Sequence, residues 1–193
     1  MNLLEVQPVF KIPSNAHARN AYGTAAQEIA CAALQLNPIP IDGSKSICFD
    51  ASDGVRPYEI KSVHRNGKVV IYDWRMEKEA VVPESRYLIL RHSVRGHRDG
   101  KTLYQAFADG GGLEAWIITT PSVHQIAQKE AKRVMLSDSK DPRCGYSRKG
   151  YKDGYRNVGL NRFSDLMVEA QIRKFVLYGI FFQITIRVEN CLL

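Results

Sequence analysis

Between Ile47 and Ser62 the chain changes sides at almost every residue. Ile47, Phe49 and Ala51 fall on one face of an extended strand, Cys48 and Asp50 on the other. After a turn at Asp53-Gly54 the alternation returns through Tyr58, Ile60 and Ser62, opposite Glu59 and Lys61. Two arms of period two joined by a turn commit this stretch to an antiparallel hairpin with one apolar face and one charged face. The apolar face needs a cover, and the preceding segment has the period to supply it. After an extended start ending at Pro13, "SNAHARNAYGTAAQEIACAALQLNP" runs without proline to Pro38, with Ser14 as a candidate N-cap. Tyr22, Ala26, Ile29, Ala33 and Leu36 recur at helical spacing and form one stripe.

A second turn at Asn66-Gly67 leads into "KVVIYDW", which predicts three antiparallel strands in succession. "RYLILRHSV", "TLYQAF" and "LEAWIIT" read as further strands. Pro121 opens a helix through about Val134, with Val123, Ile126, Ala127 and Val134 as its apolar side. Residues 137–163 show no apolar period and read as a long loop. A helix from Ser164 to about Tyr178 and a strand "IFFQITIRV" close the chain. The expected architecture is α/β: a central mixed β-sheet flanked by helices, in a single domain spanning 1–193 whose catalytic core covers about 14–134.

The 193 residues are enough to bury a sizeable core. The excess of 27 Lys and Arg over 20 Asp and Glu, +7 in all, suits a polyanionic partner. Cys31, Cys48, Cys144 and Cys191 have neither zinc-site spacing nor the density of a disulfide framework, so a reduced, cytoplasmic setting is expected. Glu5 and Pro8 break any export signal, and the apolar run from Phe175 to Ile186 is interrupted by Gly179 and Gln183 and too short to span a bilayer. No membrane partner is expected.

A two-residue loop at Asp53-Gly54 sets Asp50 opposite Pro57 and makes Asp50 and Glu59 a diagonal pair, roughly 7–8 Å apart at the backbone, on the face that also carries Lys61. Two converging carboxylates suit a hard cation such as Mg²⁺. A lysine beside them can contact an attacking water or a phosphate, the requirements of phosphodiester hydrolysis. The competing reading is a solvated sheet face with an ordinary ion pair. Pro57 marks an edge or bulge, where strands re-aim side chains, and Glu28 adds a carboxylate on the covering helix.

Over residues 22–62, the helix "YGTAAQEIACAALQL", Asp50 and the run "YEIKS" resemble the PD-(D/E)XK, or restriction-endonuclease-like, nucleases. The wording "DASD…YEIKS" is most similar to type II restriction endonucleases of the PvuII kind. The resemblance implies a restriction-endonuclease-like core. It implies that Asp50 and Glu59 bind Mg²⁺, with Mn²⁺ as an alternative, that the Ile60 carbonyl adds a ligand, that Lys61 positions the nucleophilic water, and that Glu28 is an outer acid. The proline-aspartate dipeptide of the family name is absent, since Phe49 precedes Asp50. Asp53 is therefore the alternative active acid. Asp50 is preferred because the turn needs Asp53-Gly54.

Downstream, Arg143, Arg148, Lys149, Lys152, Arg156 and Arg162 interleave with Tyr146, Tyr151, Tyr155 and Phe163. With Asn157 these residues suit contact with phosphates and base edges. A second basic cluster, Arg91 to Lys101, reads as a solvated turn. His92 and His97 read as surface histidines, and Trp74 and Trp116 as strand residues of the core. The expected activity is divalent-metal-dependent cleavage of double-stranded DNA by a restriction-type homodimer. The alternatives are a structure-selective nuclease resembling a junction resolvase, and a non-catalytic DNA-binding protein.

Overall fold

A computed structural model describes residues 18–39, 49–94, 106–107, 109–135, 154–164, 173–180 and 183–190. Helix α1 (Ala18–Leu34) buries Ala25, Ala26, Ile29, Ala30 and Cys31. The expected stripe holds at Ala26, Ile29 and Leu36, while Tyr22 and Ala33 are partly buried against the same cluster. Small alanines let the helix backbone lie close to the sheet. The helix ends in a Schellman turn built without glycine. Gln35 takes φ 56°, Leu36 N donates to Cys31 O at 2.9 Å and Gln35 N to Ala32 O at 3.4 Å. Leu36 and Cys31 share one apolar cluster, the contact that accompanies this turn, and Pro38 keeps the helix from resuming.

The strands among the described residues are β1 (Asn37–Pro38), β2 (Ala51–Ser52), β3 (Pro57–His64), β4 (Lys68–Tyr72) and β5 (Arg86–His92). They continue with β6 (Leu113–Thr119), β7 (Arg133–Met135), β8 (Gly154–Gly159), β9 (Arg173–Ile180) and β10 (Gln183–Asn190). Seven form a mixed sheet in the order β1-β2-β3-β5-β6-β9-β10, and three form a second sheet, β4-β8-β7. Among the described strands only β3 and β5 pair in parallel, with Glu59 beside Tyr87 and His64 beside His92. Helices α2 (Asp73–Glu79), α3 (Thr120–Glu130) and α4 (Asn161–Ser164) complete the described chain. The α/β expectation is met.

Alternation divides the core at the main sheet. Tyr58, Ile60, Leu88, Leu90, Leu113 and Ala115 pack with α1. Val63, Tyr87, Ile89, Trp116 and Ile118 pack on the other side with α2, α3, α4 and the second sheet. At about 25 cal/mol per Å² of apolar surface, these two clusters are the main driving force for the layered arrangement.

Several expectations fail for tertiary reasons. The three-strand succession breaks after β3, because that edge of β3 is taken by β5 and β4 crosses to pair with β8. Gly67 permits the departure: a Cβ there would lie 2.7 Å from Val63 Cγ1 and 2.9 Å from His64 O. Residues 73–79 leave the strand pattern for α2, so Trp74 is a helical residue and 38% exposed, whereas Trp116 is buried in β6 as expected. Helix α3 buries Val123, Ile126 and Ala127 but stops at Glu130, and Val134 belongs to β7. Its start is held by Thr119, whose Oγ1 accepts from Ser122 N at 3.3 Å.

Residues 106–107 are helical, not strand. The expected loop over 137–163 contains β8 and α4. The expected last helix is strand β9 over its second half, paired with β10 from Gln183↔Ile180 to Asn190↔Arg173. A short run such as "KFVLYGI" fits either period, and its long-range partners decide. Ser14, Ile47, Cys48, His97, Cys144, Cys191 and residues 102–105, 136–153 and 165–172 lie outside the described residues.

Candidate active site

The loop between β2 and β3 is longer than two residues. Ala51 pairs with Tyr58 and Ser52 with Pro57, so Asp53 to Arg56 form the connection, and Asp53 N donates to Arg56 O at 3.2 Å. Asp53 is spent on that loop. Its Oδ1 accepts from Val55 N at 2.9 Å and Arg56 N at 2.6 Å, and its Oδ2 accepts from Tyr58 Oη at 3.0 Å. Slight burial opposes ionisation of Asp53, but these donors and the Arg56 guanidinium together lower its pKa. Gly54, at φ 91°, supplies the left-handed step.

The register is displaced by two residues from the expected one, which preserves the face of every side chain. Asp50 lies one residue beyond the last ladder pair, Ala51 with Tyr58, and close enough to Glu59 for its charge to raise the pKa of that carboxyl. The ladder ends there. Asp50 N donates to Tyr58 O at 2.8 Å, Asp50 O accepts from Ile39 N at 2.9 Å, and Asp50 Oδ2 accepts the Ile60 N–H at 2.7 Å. The carboxylate takes the place of a strand carbonyl on β3, leaving Oδ1 for another partner.

Glu59 is fully buried, and a buried carboxylate needs compensation. Lys61 Nζ donates to Oε1, and the Arg75 fork reaches both oxygens, Nη1 to Oε1 at 2.5 Å and Nη2 to Oε2 at 2.6 Å. One helical turn along α2, Glu79 Oε1 lies 3.4 Å from Arg75 Nε. Glu79 Oε2 accepts from Tyr87 Oη at 2.6 Å and meets His124 Nε2 at 2.9 Å. A connected network thus runs from β3 through α2 to β5 and α3. Burial pushes the Glu59 pKa up to about 7 against the pull of Lys61 and Arg75, with Asp50 adding to the rise. Burial would lower the Arg75 pKa, but Glu59, Glu79 and Asp50 raise it.

Other expected site residues fall elsewhere. Glu28 stands on α1, which packs on the Tyr58 and Ile60 face, whereas Glu59 and Lys61 point to the opposite one. Its charge acts on Cys31, a buried free thiol whose pKa rises to about 11 through burial and the charges of Asp50 and Glu28. Tyr155 is buried and packs near Tyr72. Arg156 caps α3, donating to the carbonyls of Ala127, Gln128 and Ala131 at 3.1–3.3 Å and pairing with Asp73. The β8 ladder turns these two side chains into the second sheet's packing.

Asn157 is half-buried beside Val70, and Arg162 is exposed beside Glu130 at 3.1 Å. Arg143, Arg148, Lys149, Tyr151 and Lys152 lie outside the described residues. His92 is also corrected: it is buried, stacked on Tyr22 and edge-on to Phe107 and His64. Arg91 pairs with Glu114 and stands 5.1 Å over the Trp116 ring.

Arg75, Glu79, Tyr87 and His124 escaped the sequence reading. The spacing of Arg75 and Glu79 is a helical i,i+4 pair, legible only once "DWRMEKE" is read as a helix. As donors, Asp50 and Glu59 fit a hard divalent cation, which takes carboxylate oxygens. Arg75 and Lys61 now hold both oxygens of Glu59, so a cation there must displace a cationic side chain. Among the described residues no group of three or more His, Cys, Asp or Glu gathers as a metal cluster. No helix among them is long and apolar enough to cross a membrane. Comparison with protein-family models, curated proteins and solved structures finds no match to this chain.

Proposed function

We propose that the chain is a divalent-metal-dependent DNA endonuclease, a phosphodiester hydrolase of the type II restriction kind acting on a short duplex site. The observation that carries this reading is the Asp50 carboxylate held on the Ile60 N–H, one residue along β3 from the buried Glu59 that carries the Lys61 ammonium. Asp50 through Oδ1 and Glu59 through a carboxylate oxygen would hold Mg²⁺, or Mn²⁺ in its place. The resemblance adds the Ile60 carbonyl. When bound, the cation supplies Lewis acidity and a more acidic water.

The chain's own residues do the positioning. Lys61, released from Glu59, orients the attacking water and faces the charge that builds on phosphorus. The Ile60 amide keeps Asp50 pointed at the site. The net charge of +7 and the basic residues Arg143, Arg148, Lys149, Lys152 and Arg162 support a DNA partner. A homodimer follows from cutting both strands of a symmetric site with one site per chain.

A specific observation favours a second reading: Glu59 is fully buried with both oxygens in ion pairs, as in a structural salt-bridge cluster. On that reading the protein binds DNA without cutting it. Incubation of purified protein with duplex plasmid, with and without Mg²⁺ and beside Asp50→Ala, separates the two. The nuclease gives discrete fragments only with Mg²⁺ and only with Asp50. Equal cutting by wild type and variant ends the site assignment. Binding that is unchanged in EDTA and by Lys61→Ala, with no cutting, establishes the second reading. Cutting confined to branched DNA marks a structure-selective nuclease.

A further inference from the structure

The α2 arginine stands between two buried carboxylates that it satisfies unequally. Its fork engages both oxygens of Glu59 at 2.5–2.6 Å, while its Nε is 3.4 Å from Glu79 Oε1. That Glu79 oxygen is buried and has no hydrogen-bond partner, although Oε2 of the same carboxylate is held by Tyr87 and His124. A buried, charged acceptor left short of a donor is an energetically costly arrangement. The donor nearest to it is already on the same helix face, one turn away, so a rotation of side-chain torsions suffices to bring it over.

We infer that Arg75 is a positioning residue with two seats: its fork holds Glu59 while the site is empty of metal and turns to Glu79 Oε1 when a divalent cation takes Glu59. This inference rests on the metal-dependent reading above and goes beyond it, by naming the group that guards the ligand and where that group goes. The guanidinium keeps Glu59 neutralised in the metal-free protein, and the cation takes over that task once Arg75 has turned to Glu79. Arg75 then opposes cation binding, and Glu79 favours it by receiving Arg75.

Trp74 provides a reporter. The Arg75 guanidinium carbon lies 5.5 Å from the centroid of its ring, and the ring is partly exposed. Mg²⁺ is titrated into the full chain at a series of pH values above the about 7 to which burial raises Glu59, each variant being compared where its affinity no longer changes with pH, with affinity read by calorimetry and Trp74 by fluorescence. Wild type should give a saturable fluorescence change that Trp74→Phe removes. Arg75→Gln should bind Mg²⁺ about fivefold to tenfold more tightly and lose the fluorescence change, a coupling of ordinary size between two sites.

Glu79→Gln should weaken Mg²⁺ binding by a similar factor in the wild-type background and leave it nearly unchanged in the Arg75→Gln background. A simple loss of negative charge would weaken both equally. Glu79→Gln keeps a hydrogen-bonding group for Tyr87 and His124, so it tests the idea even if Arg75→Gln folds poorly. Binding that needs Asp50 but ignores Arg75, or a Glu79→Gln effect that persists without Arg75, overturns the two-seat arrangement alone. No Mg²⁺ binding by wild type or Arg75→Gln overturns it together with the metal site.

Discussion

The two faces of β3 are built on opposite principles. Toward α1, Tyr58 and Ile60 join Leu88, Leu90, Leu113 and the α1 alanines in a cluster held by apolar burial. Toward α2 and α3, Glu59 and Lys61 begin a chain of charges that continues through Arg75 and Glu79 to His124. The first face needs only shape and area. The second needs every charge matched, and replacing such a network with well-packed apolar groups is often neutral or stabilising. On the proposed reading this second face is the working one, and the α1 side is its support.

The largest expected effect tests that division directly. Asp50→Asn keeps an acceptor for the Ile60 N–H and should leave the urea midpoint close to wild type, while lowering Mg²⁺-dependent DNA cleavage by at least about a hundredfold, since even indirect partners of a metal are worth 10–100-fold. A stability loss as large as the activity loss would make Asp50 a structural residue. Next comes Leu90→Ala on the α1 side, which should cost about 2–5 kcal/mol by urea denaturation and leave the cleavage rate of the folded fraction unchanged. A rate effect at constant folding would show that the supporting face is not passive. Smaller still, Tyr87→Phe removes one donor from Glu79 and should cost about 1–3 kcal/mol, the usual toll of an unsatisfied buried acceptor.

How much of this contrast could be read in the sequence follows from the range of the interactions involved. The helical stripe at Ala26 and Ile29, the alternation along β3 through Tyr58, Glu59 and Ile60, and the pairing of Glu59 with Lys61 are local patterns, and they appear where expected. The loop length was misjudged because Asp53-Gly54 also suits a four-residue connection in which the Asp53 side chain binds the loop amides. The error moved the register by two, so the faces of β3 survived. Arg75, Glu79 and His124 were illegible because their roles depend on β4 leaving the sheet and α2 folding back over Glu59, which no neighbouring residue announces. The packing of Arg156 and Tyr155 was illegible for the same reason: a basic, aromatic segment looks alike whether it meets a phosphate or a helix end.

The smallest expected net effect is pH-dependent, because the two faces oppose each other. Burial pushes Glu59 from 4.5 up to about 7. Between those values the folded protein holds a proton the unfolded chain has lost, so the Glu59 contribution to stability is complete below about 4.5 and disappears as pH rises through 7. His92 has the reverse sign. Burial, helped by the neighbouring His64, lowers it from 6.5 to about 4, so the unfolded chain takes up a proton that the folded one refuses, and stability is lost as pH falls from 6.5 through 4. Over their common range the wild-type urea midpoint should change little on account of these two groups. Relative to wild type, Glu59→Gln should leave a midpoint that climbs from pH 4.5 to 6.5, and His92→Phe one that falls toward pH 7. Profiles parallel to wild type in both variants would mean that neither residue is as enclosed as its face implies. One altered profile would show which side of β3 is open to water.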